Sequence, residues 1–241
     1  MREWLVQAVA RAYKERSEEI EGYVLGRGLR STLADDMQVG MSCLTATPAP
    51  DPVYRKRNGP HGERRQHWLT VPFWSPRGRL VGLEYRRWDG EKGVQEYRLP
   101  EASTVPVFMG LTPAAMQKIW DGGDVWLVEG VFDIALAHAV PERDTVLACG
   151  SARVSNNQIN FLKRFLASYA TVHVAFDEDP TGRAHVDGYT DEKTGRRVFG
   201  VIERLERVEL SCRAVRYRGG KDPGEIWERG GRAALKHSFK L

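Results

Sequence analysis

The sequence is poor in cysteine. Cys43, Cys149 and Cys212 are widely separated and form neither a CxxC metal pair nor a disulfide framework. A cysteine-based zinc module is therefore excluded, no zinc is expected, and a reducing cytoplasm is the expected compartment. Also lacking is any apolar run near the roughly 20 residues that span a bilayer, so no membrane partner is expected. The opening residues, MREWLVQAVARAYKERSEE, carry early charges and no cleavage site, and read as an amphipathic helix and not as a secretory signal. Internal repeats and low-complexity segments are absent. What is present is ordinary globular material. The 241 residues are 41% hydrophobic and 28% charged, enough for one large domain or two small ones.

The net charge is +4, and its distribution says more than its size. Over residues 55–87 Arg55, Lys56, Arg57, Arg64, Arg65, Arg77, Arg79, Arg86 and Arg87 face only Glu63 and Glu84. His61, His67, Trp68, Phe73, Trp74 and Tyr85 are interleaved with them. Cations suit phosphates and aromatic faces suit bases, which points to a nucleic-acid surface. The alternative is a solvated loop beside ordinary strand aromatics.

Along the chain, residues 2–19 show helical apolar spacing. The glycines around Arg27 predict a turn, and Ser31 is a candidate cap for a short helix through Met37, ended by Gly40. Residues 42–62 hold four prolines and read as loop, with strand pieces near Leu44 and Val53. WLTVPFW and LVGLEYRRW flank Ser75-Pro76-Arg77-Gly78 and predict a hairpin, with VQEYRLP as a third strand after a turn at 89–93. PAAMQKIWDGG predicts a helix with Pro113 in its first turn and Gly122 at its end.

After Gly123 the pattern changes. VWLVE, TVLACG, TVHVAFD and LSCRAVRYR are strand-like, and the first three are the near-continuous apolar runs of buried parallel strands. Between them lie the helical stretches FDIALAHAV, NNQINFLKRFLASY (with Ser155 as cap) and VFGVIERLERV. This βαβ series predicts a Rossmann-like sheet of four parallel strands over residues 125–220. HVDGYTDEKTGRRV reads as an inserted surface loop or hairpin, and ERGGRAALKHSFKL as a short helix or basic tail. The expected division is 1–124, a basic α+β unit, and 125–241, the α/β unit.

Carboxylates follow these strands. VWLVEG stops on Glu129, VHVAFDED on Asp177 and Asp179, and KDPGE supplies Asp222 and Glu225. In a parallel sheet, strand ends at the carboxyl edge face one crevice. Acids gathered there need cations, and hard divalent ions such as Mg²⁺ take oxygen ligands. The pattern thus predicts a Mg²⁺-dependent phosphoryl-transfer site.

VEGVFD, FDEDPTG and KDPGE, in this order and spacing, resemble the Toprim domain shared by DnaG-type primases, topoisomerases and certain nucleases. GYVLGRGLRSTLADDMQVG, VPFWSPRGRLVGLEYR, EYRLPEASTVPVFMG and ACGSARVSNNQINFLKRF narrow the resemblance to bacterial and phage DnaG-type primase cores, over residues 10–230. It implies synthesis of a short primer on single-stranded DNA from nucleoside triphosphates during replication, with two Mg²⁺ or Mn²⁺ ions and a replicative helicase as partner. The family's zinc-binding domain and helicase-binding region have no counterpart in these residues, which suits a phage or mobile-element enzyme. Gly224 stands where the family has a second aspartate, and Glu96 where it has a lysine. A Toprim nuclease and a non-catalytic single-strand-binding module remain as alternatives.

On this reading Glu129 is the general base or a metal-bound orienter near the primer 3′-hydroxyl. Asp177 and Asp179 are metal ligands, against the plainer reading of helix-capping aspartates. Asp222, Asp133 (one turn after Glu129) and Glu225 complete the metal set. Arg27, Arg77, Arg86, Arg87 and Lys221 are the candidates for template or triphosphate, each against the alternative of a surface ion pair. His61, His67, His138, His173 and His185 show no ligand spacing and are expected to be structural or at the surface.

Overall fold

The structure, a computed structural model, describes residues 2–15, 18–44, 54–57, 66–87, 94–98 and 105–240. Arg64, Arg65, His61, the 89–93 turn and most of the proline-bearing loop lie outside the described residues. The chain divides into two compact units, Met1–Gly26 with Arg30–Val107, and Arg27–Leu29 with Phe108–Leu241. The break thus falls 17 residues before the one expected, since Phe108, Leu111, Ala115, Met116 and Ile119 belong to the second unit's core.

In the first unit the opening helical pattern is two helices, α1 (Arg2–Lys14) and α2 (Glu18–Gly26). The second ends at Gly26, before the turn expected around Arg27, and buries Ile20 and Val24, one turn apart, despite Gly22. α3 (Ser31–Asp36) is capped at Arg30 rather than Ser31. Five antiparallel strands follow: β1 (Gly40–Leu44), β2 (Tyr54–Arg57), β3 (Gln66–Trp74), β4 (Leu80–Arg87) and β5 (Val94–Arg98). Their order is β1-β3-β4-β5-β2. Gly40 opens β1 and does not merely end a helix, and a Cβ there would lie 2.3 Å from the backbone of Ala12. The β3–β4 turn forms as its sequence predicts, with Gly78 N–H donating to Ser75 O at 2.9 Å and Gly78 at φ +68°. Leu5 and Val9 of α1 close over Trp68, Leu80, Leu83 and Tyr85.

In the second unit α4 (Pro113–Trp120) is capped by Thr112 and has Pro113 at its start. β6 (Val125–Val128) follows, then a 3₁₀ helix (Val131–His138), β7 (Thr145–Ala148) and α5 (Asn156–Phe165). Ser155 and Gln158 make the reciprocal cap of α5, worth about 1 kcal/mol. β8 (Val172–Val174) leads to α6 (Pro180–Asp187) and a small hairpin, β9 (Tyr189–Thr190) with β10 (Arg197–Val198). α7 (Val201–Glu206), β11 (Cys212–Ala214) and α8 (Pro223–Phe239) complete the chain, α8 bending at Gly230 and Gly231. The sheet is four-stranded and all parallel, in the order β11-β8-β6-β7, as the alternating pattern predicts.

Val125, Leu127, Leu147, Val172 and Val174 point into the large core with α4, α5 and α7 residues. The alternate positions carry a polar row across the other face. His173 stacks on Trp126 at 4.2 Å, places Nε2 2.8 Å from Asp124 Oδ2 and accepts at Nδ1 from Arg213 Nε. Trp126 Nε1 donates to buried Asp144. Burial lowers the His173 pKa, with Asp124 opposing and Arg213 reinforcing. Burial raises that of Asp124, but His173 and the Thr171 N–H outweigh it, and the net shift is downward. Both groups are depressed in the fold, so both stabilise it at high pH. His173's contribution is full above its unfolded value near 6.5 and fades as pH falls below it; Asp124's fades only near pH 4 and under. Denaturant melts of wild type and His173→Phe at pH 7.5 and 5 test this: the stability gap between the two should shrink at pH 5. A gap that is constant or widens removes His173 as the cause.

Candidate active site at the carboxyl edge of the parallel sheet

β6 and β8 are neighbours, so the loops that leave their carboxyl ends are held side by side. Ala175 N–H donates to Leu127 O, and Gly150 N–H donates to Glu129 O. Glu129 Oε1 then accepts from the backbone N–H of Asp177 at 3.1 Å. Gly182 sits behind this contact. A Cβ there would fall 2.1 Å from Asp177 O and 3.0 Å from Glu129 Oε1, so only glycine fits. The glycine is visible in FDEDPTG, but the close approach that requires it is not.

Asp177 and Asp179 come together with Lys221, whose Nζ lies 3.1 Å from Asp177 Oδ2 and 3.6 Å from Asp179 Oδ2. Asp179 is also the N-cap of α6, accepting from Gly182 N–H at 2.8 Å, and Asp222 is the N-cap of α8, accepting from Glu225 N–H at 2.7 Å. The capping reading thus holds for Asp179, whereas Asp177 is the N-cap of no described helix. Asp133 is buried, and each of its oxygens takes a backbone donor: Gly130 N–H at 2.8 Å and Gly224 N–H at 3.3 Å. It ties the loop after β6 to the start of α8.

Sequence reasoning missed Tyr217. Its buried hydroxyl lies 3.0 Å from Phe176 O and 3.1 Å from Lys221 O, bridging the loops after β8 and β11. Glu178 N–H donates to Lys221 O at 2.8 Å across the same gap. The only signal was a tyrosine four residues before Lys221 in YRGGKDPGE.

Not every candidate joins the group. Glu225 accepts from the Lys221 N–H and pairs with Arg229 on its own helix. Arg27 belongs to the second unit and not to the basic first one: its Nε is 2.8 Å from Glu228 and its guanidinium lies 4.5 Å over Phe132. Gly28, at φ +84°, permits that path, since a Cβ would meet Ala135 at 2.5 Å. In the first unit Arg86 pairs with buried Glu84, and Arg87 is buried over Trp68, while Arg77 is exposed at the β3–β4 turn. Trp68, Phe73 and Tyr85 are buried, so these interleaved aromatics are core and not base-stacking platforms.

The electrostatics are those of an under-compensated acid cluster. Burial, with Asp177 beside it, pushes the Glu129 carboxyl up to about 7. Burial, then Asp222 and Asp177, raises Asp133. Burial raises Asp177 against the pull of Lys221. Asp179 is lowered, chiefly by the Gly182 N–H. A hard cation fits such oxygen donors in kind. Among the described residues no three acidic, histidine or cysteine side chains already form a cage for one. The ammonium of Lys221 stands between two of the carboxylates instead.

Residues 126–227 match the Toprim-like family. No curated protein matches the chain significantly. Among solved structures, the chain resembles the RNA polymerase domain of Mycobacterium tuberculosis primase DnaG, with a TM-score of 0.65 at 20% identity, covering 99% of this chain and 82% of that one. The Aquifex aeolicus primase zinc-binding and RNA polymerase domains give 0.62 at 21%, over 98% of this chain, which spans only 61% of that one. A DnaG primase catalytic domain bound to single-stranded DNA gives 0.61 at 15%, over 99% and 81%. The second unit thus has a Toprim-like sheet. The chain from end to end has the fold of a DnaG-type primase catalytic core.

The charge balance has two measurable consequences. Glu129's raised value means that its ionisation costs stability as pH rises from about 4.5 through about 7. Glu129→Gln should therefore melt above wild type at pH 8 in chelator, with the difference gone at pH 4. A variant that melts lower at pH 8 removes the burial and repulsion acting on a charged Glu129 as the deciding effect. At Gly224 a Cβ would lie 3.3 Å from Asp222 Oδ1 and 3.4 Å from Asp133 Oδ1. Gly224→Asp should lower Tm in chelator, by roughly 2–4 °C per kcal/mol of added repulsion, and Mg²⁺ should restore more of it than Mg²⁺ adds to wild type. Equal Mg²⁺ responses in the two proteins remove position 224 from the site.

Proposed function

We propose that this chain is a DNA primase: an enzyme that makes short primers on single-stranded DNA from nucleoside triphosphates. The observation that carries the proposal is the meeting of Glu129, Asp177, Asp179 and Lys221 at the sheet's carboxyl edge, inside a chain with a primase-core fold throughout. The reaction joins the primer 3′-oxygen to the α-phosphorus of the incoming nucleotide, breaks the bond to pyrophosphate and releases the hydroxyl proton. Glu129, whose carboxyl burial and Asp177 raise to about 7 before an ion binds, is the group suited to accept that proton or to orient the hydroxyl.

Asp177, Asp179 and Glu129, with Asp222 near them, are the residues that would hold Mg²⁺ or Mn²⁺, which neutralises charge on the phosphates. Asp133 has both oxygens engaged and positions the loops. Lys221 is the cation for the triphosphate. In the basic first unit Arg77 is the exposed candidate for template phosphate, with Arg86 half-exposed beside its Glu84 partner. A replicative helicase is the natural partner of such an activity.

The test supplies mixed-sequence single-stranded DNA, labelled nucleoside triphosphates and Mg²⁺ or Mn²⁺. Short labelled oligonucleotides are expected from wild type, and a loss of about 100-fold or more from Glu129→Gln and Asp177→Asn. Template cut without oligonucleotides would identify a nuclease instead. Single-strand binding that is equal in wild type and both variants, with no product from any, would identify a binding module.

A further inference from the structure

Lys221 has a geometry that neither a structural bridge nor a simple phosphate ligand requires. Its backbone is fixed: the N–H donates to Glu225 Oε2 at 2.6 Å, and the carbonyl is met by Glu178 N–H and the Tyr217 hydroxyl. Those contacts already tie the loop after β11 to the loop after β8, so the side chain is not needed for that purpose. The ammonium sits between Asp177 and Asp179, at 3.1 and 3.6 Å, while the side chain is 54% exposed. A four-carbon stem on a rigid base can swing. A half-exposed ion pair is weak enough to be exchanged for a better partner.

The neighbouring cations do not share this position. Arg183 and Arg216 pair with Glu178, Arg216 also with Asp187, and Arg229 with Glu225. Among the described residues Lys221 alone forms ion pairs with Asp177 and Asp179.

Resting on the phosphoryl-transfer reading of this site, we propose that Lys221 is a built-in counter-cation that competes with the divalent ion for Asp177 and Asp179 and, once displaced, carries its charge to the phosphates of the incoming nucleoside triphosphate. The two aspartates are thus kept partly compensated when no ion is bound. The swing couples ion entry to nucleotide capture, because the charge expelled by the first is the charge needed for the second. A lysine in this role has opposite effects on two ligands. It opposes the metal and favours the nucleotide.

Calorimetric titration of the full chain separates these effects. Mg²⁺ is titrated alone, and a non-hydrolysable nucleoside triphosphate analogue is then titrated at saturating Mg²⁺. Lys221→Met, with Lys221→Gln as a second neutral variant, should bind Mg²⁺ about three- to tenfold more tightly and the analogue more weakly by a similar factor. Lys221→Arg should show no gain for Mg²⁺, and Lys193→Met, on the exposed hairpin, should match wild type in both. Melting curves in chelator establish that each variant is folded. Folded neutral variants that bind Mg²⁺ no more tightly than wild type overturn the proposal and leave the primase reading standing. Wild type that takes up neither Mg²⁺ nor Mn²⁺ at millimolar concentration overturns both.

Discussion

Mutual repulsion among carboxylates at one sheet edge is the constraint to which the second unit is built. Glu129, Asp133, Asp177, Asp179 and Asp222 would drive their loops apart if nothing opposed them. What opposes them is mostly backbone. The N–H groups of Asp177, Gly130, Gly224, Gly182 and Glu225 each reach a carboxylate oxygen. Two of the acids head helices, where the positive end of the helix dipole favours negative charge. Lys221 supplies the one cation that, among the described residues, pairs with Asp177 and Asp179. The strand order makes this possible. β8 lies between β6 and β11, so the loop bearing Asp177 touches Glu129 on one side and Lys221 on the other.

The acids therefore do not have equal freedom. Asp133 has spent both oxygens on the backbone and is buried, which makes it a clasp. Asp179 and Asp222 have each given Oδ1 to a cap, and Asp179 turns Oδ2 to the lysine. Asp177 Oδ2 likewise faces Lys221. Glu225, turned to Arg229 and to the Lys221 N–H, controls the lysine's backbone rather than the cluster. Gly224 fits this division. Its missing side chain leaves its N–H close to Asp133, and a carboxylate there would crowd two acids that already resist ionisation or lack a cation.

Much of this was legible in the sequence, and the parts that were not share a cause. The four parallel strands, the β3–β4 hairpin and the Ser155 cap were readable because periodicity, turn residues and capping pairs are local signals. Asp177, Asp179 and Glu129 were readable because each ends an apolar run. Local signals failed where a distant partner decides. α2 forms across Gly22 because Ile20 and Val24 are buried. Arg27 lies in a loop of the first half but packs on Phe132 and Glu228, more than a hundred residues away. The arginines and aromatics of residues 55–87 looked like one nucleic-acid surface, yet β3 and β4 are buried on both faces, and Trp68, Phe73 and Tyr85 are core. α6 was hidden because DEDPTGR reads equally as a turn and as a capped helix start. Nothing in KDPGE tells which carboxylates its lysine will meet.

The two faces of interest in the parallel sheet show opposite solutions to buried charge. Around His173 every polar group has a matched partner: Asp124 against the imidazole, Arg213 on its other nitrogen, Trp126 against Asp144. That arrangement is complete in itself, and any added charge would disturb it. At the carboxyl edge the acids outnumber their cation, and burial, reinforced by Asp177, holds the Glu129 carboxyl at about 7. Folding alone would select against such an imbalance, since each raised carboxylate subtracts from stability at neutral pH. On the proposed function, a divalent ion bound at the cluster would supply the missing positive charge. A strong permanent cation such as a buried arginine would stabilise the site and close it. A half-exposed lysine on a rigid backbone gives partial compensation and leaves the place available.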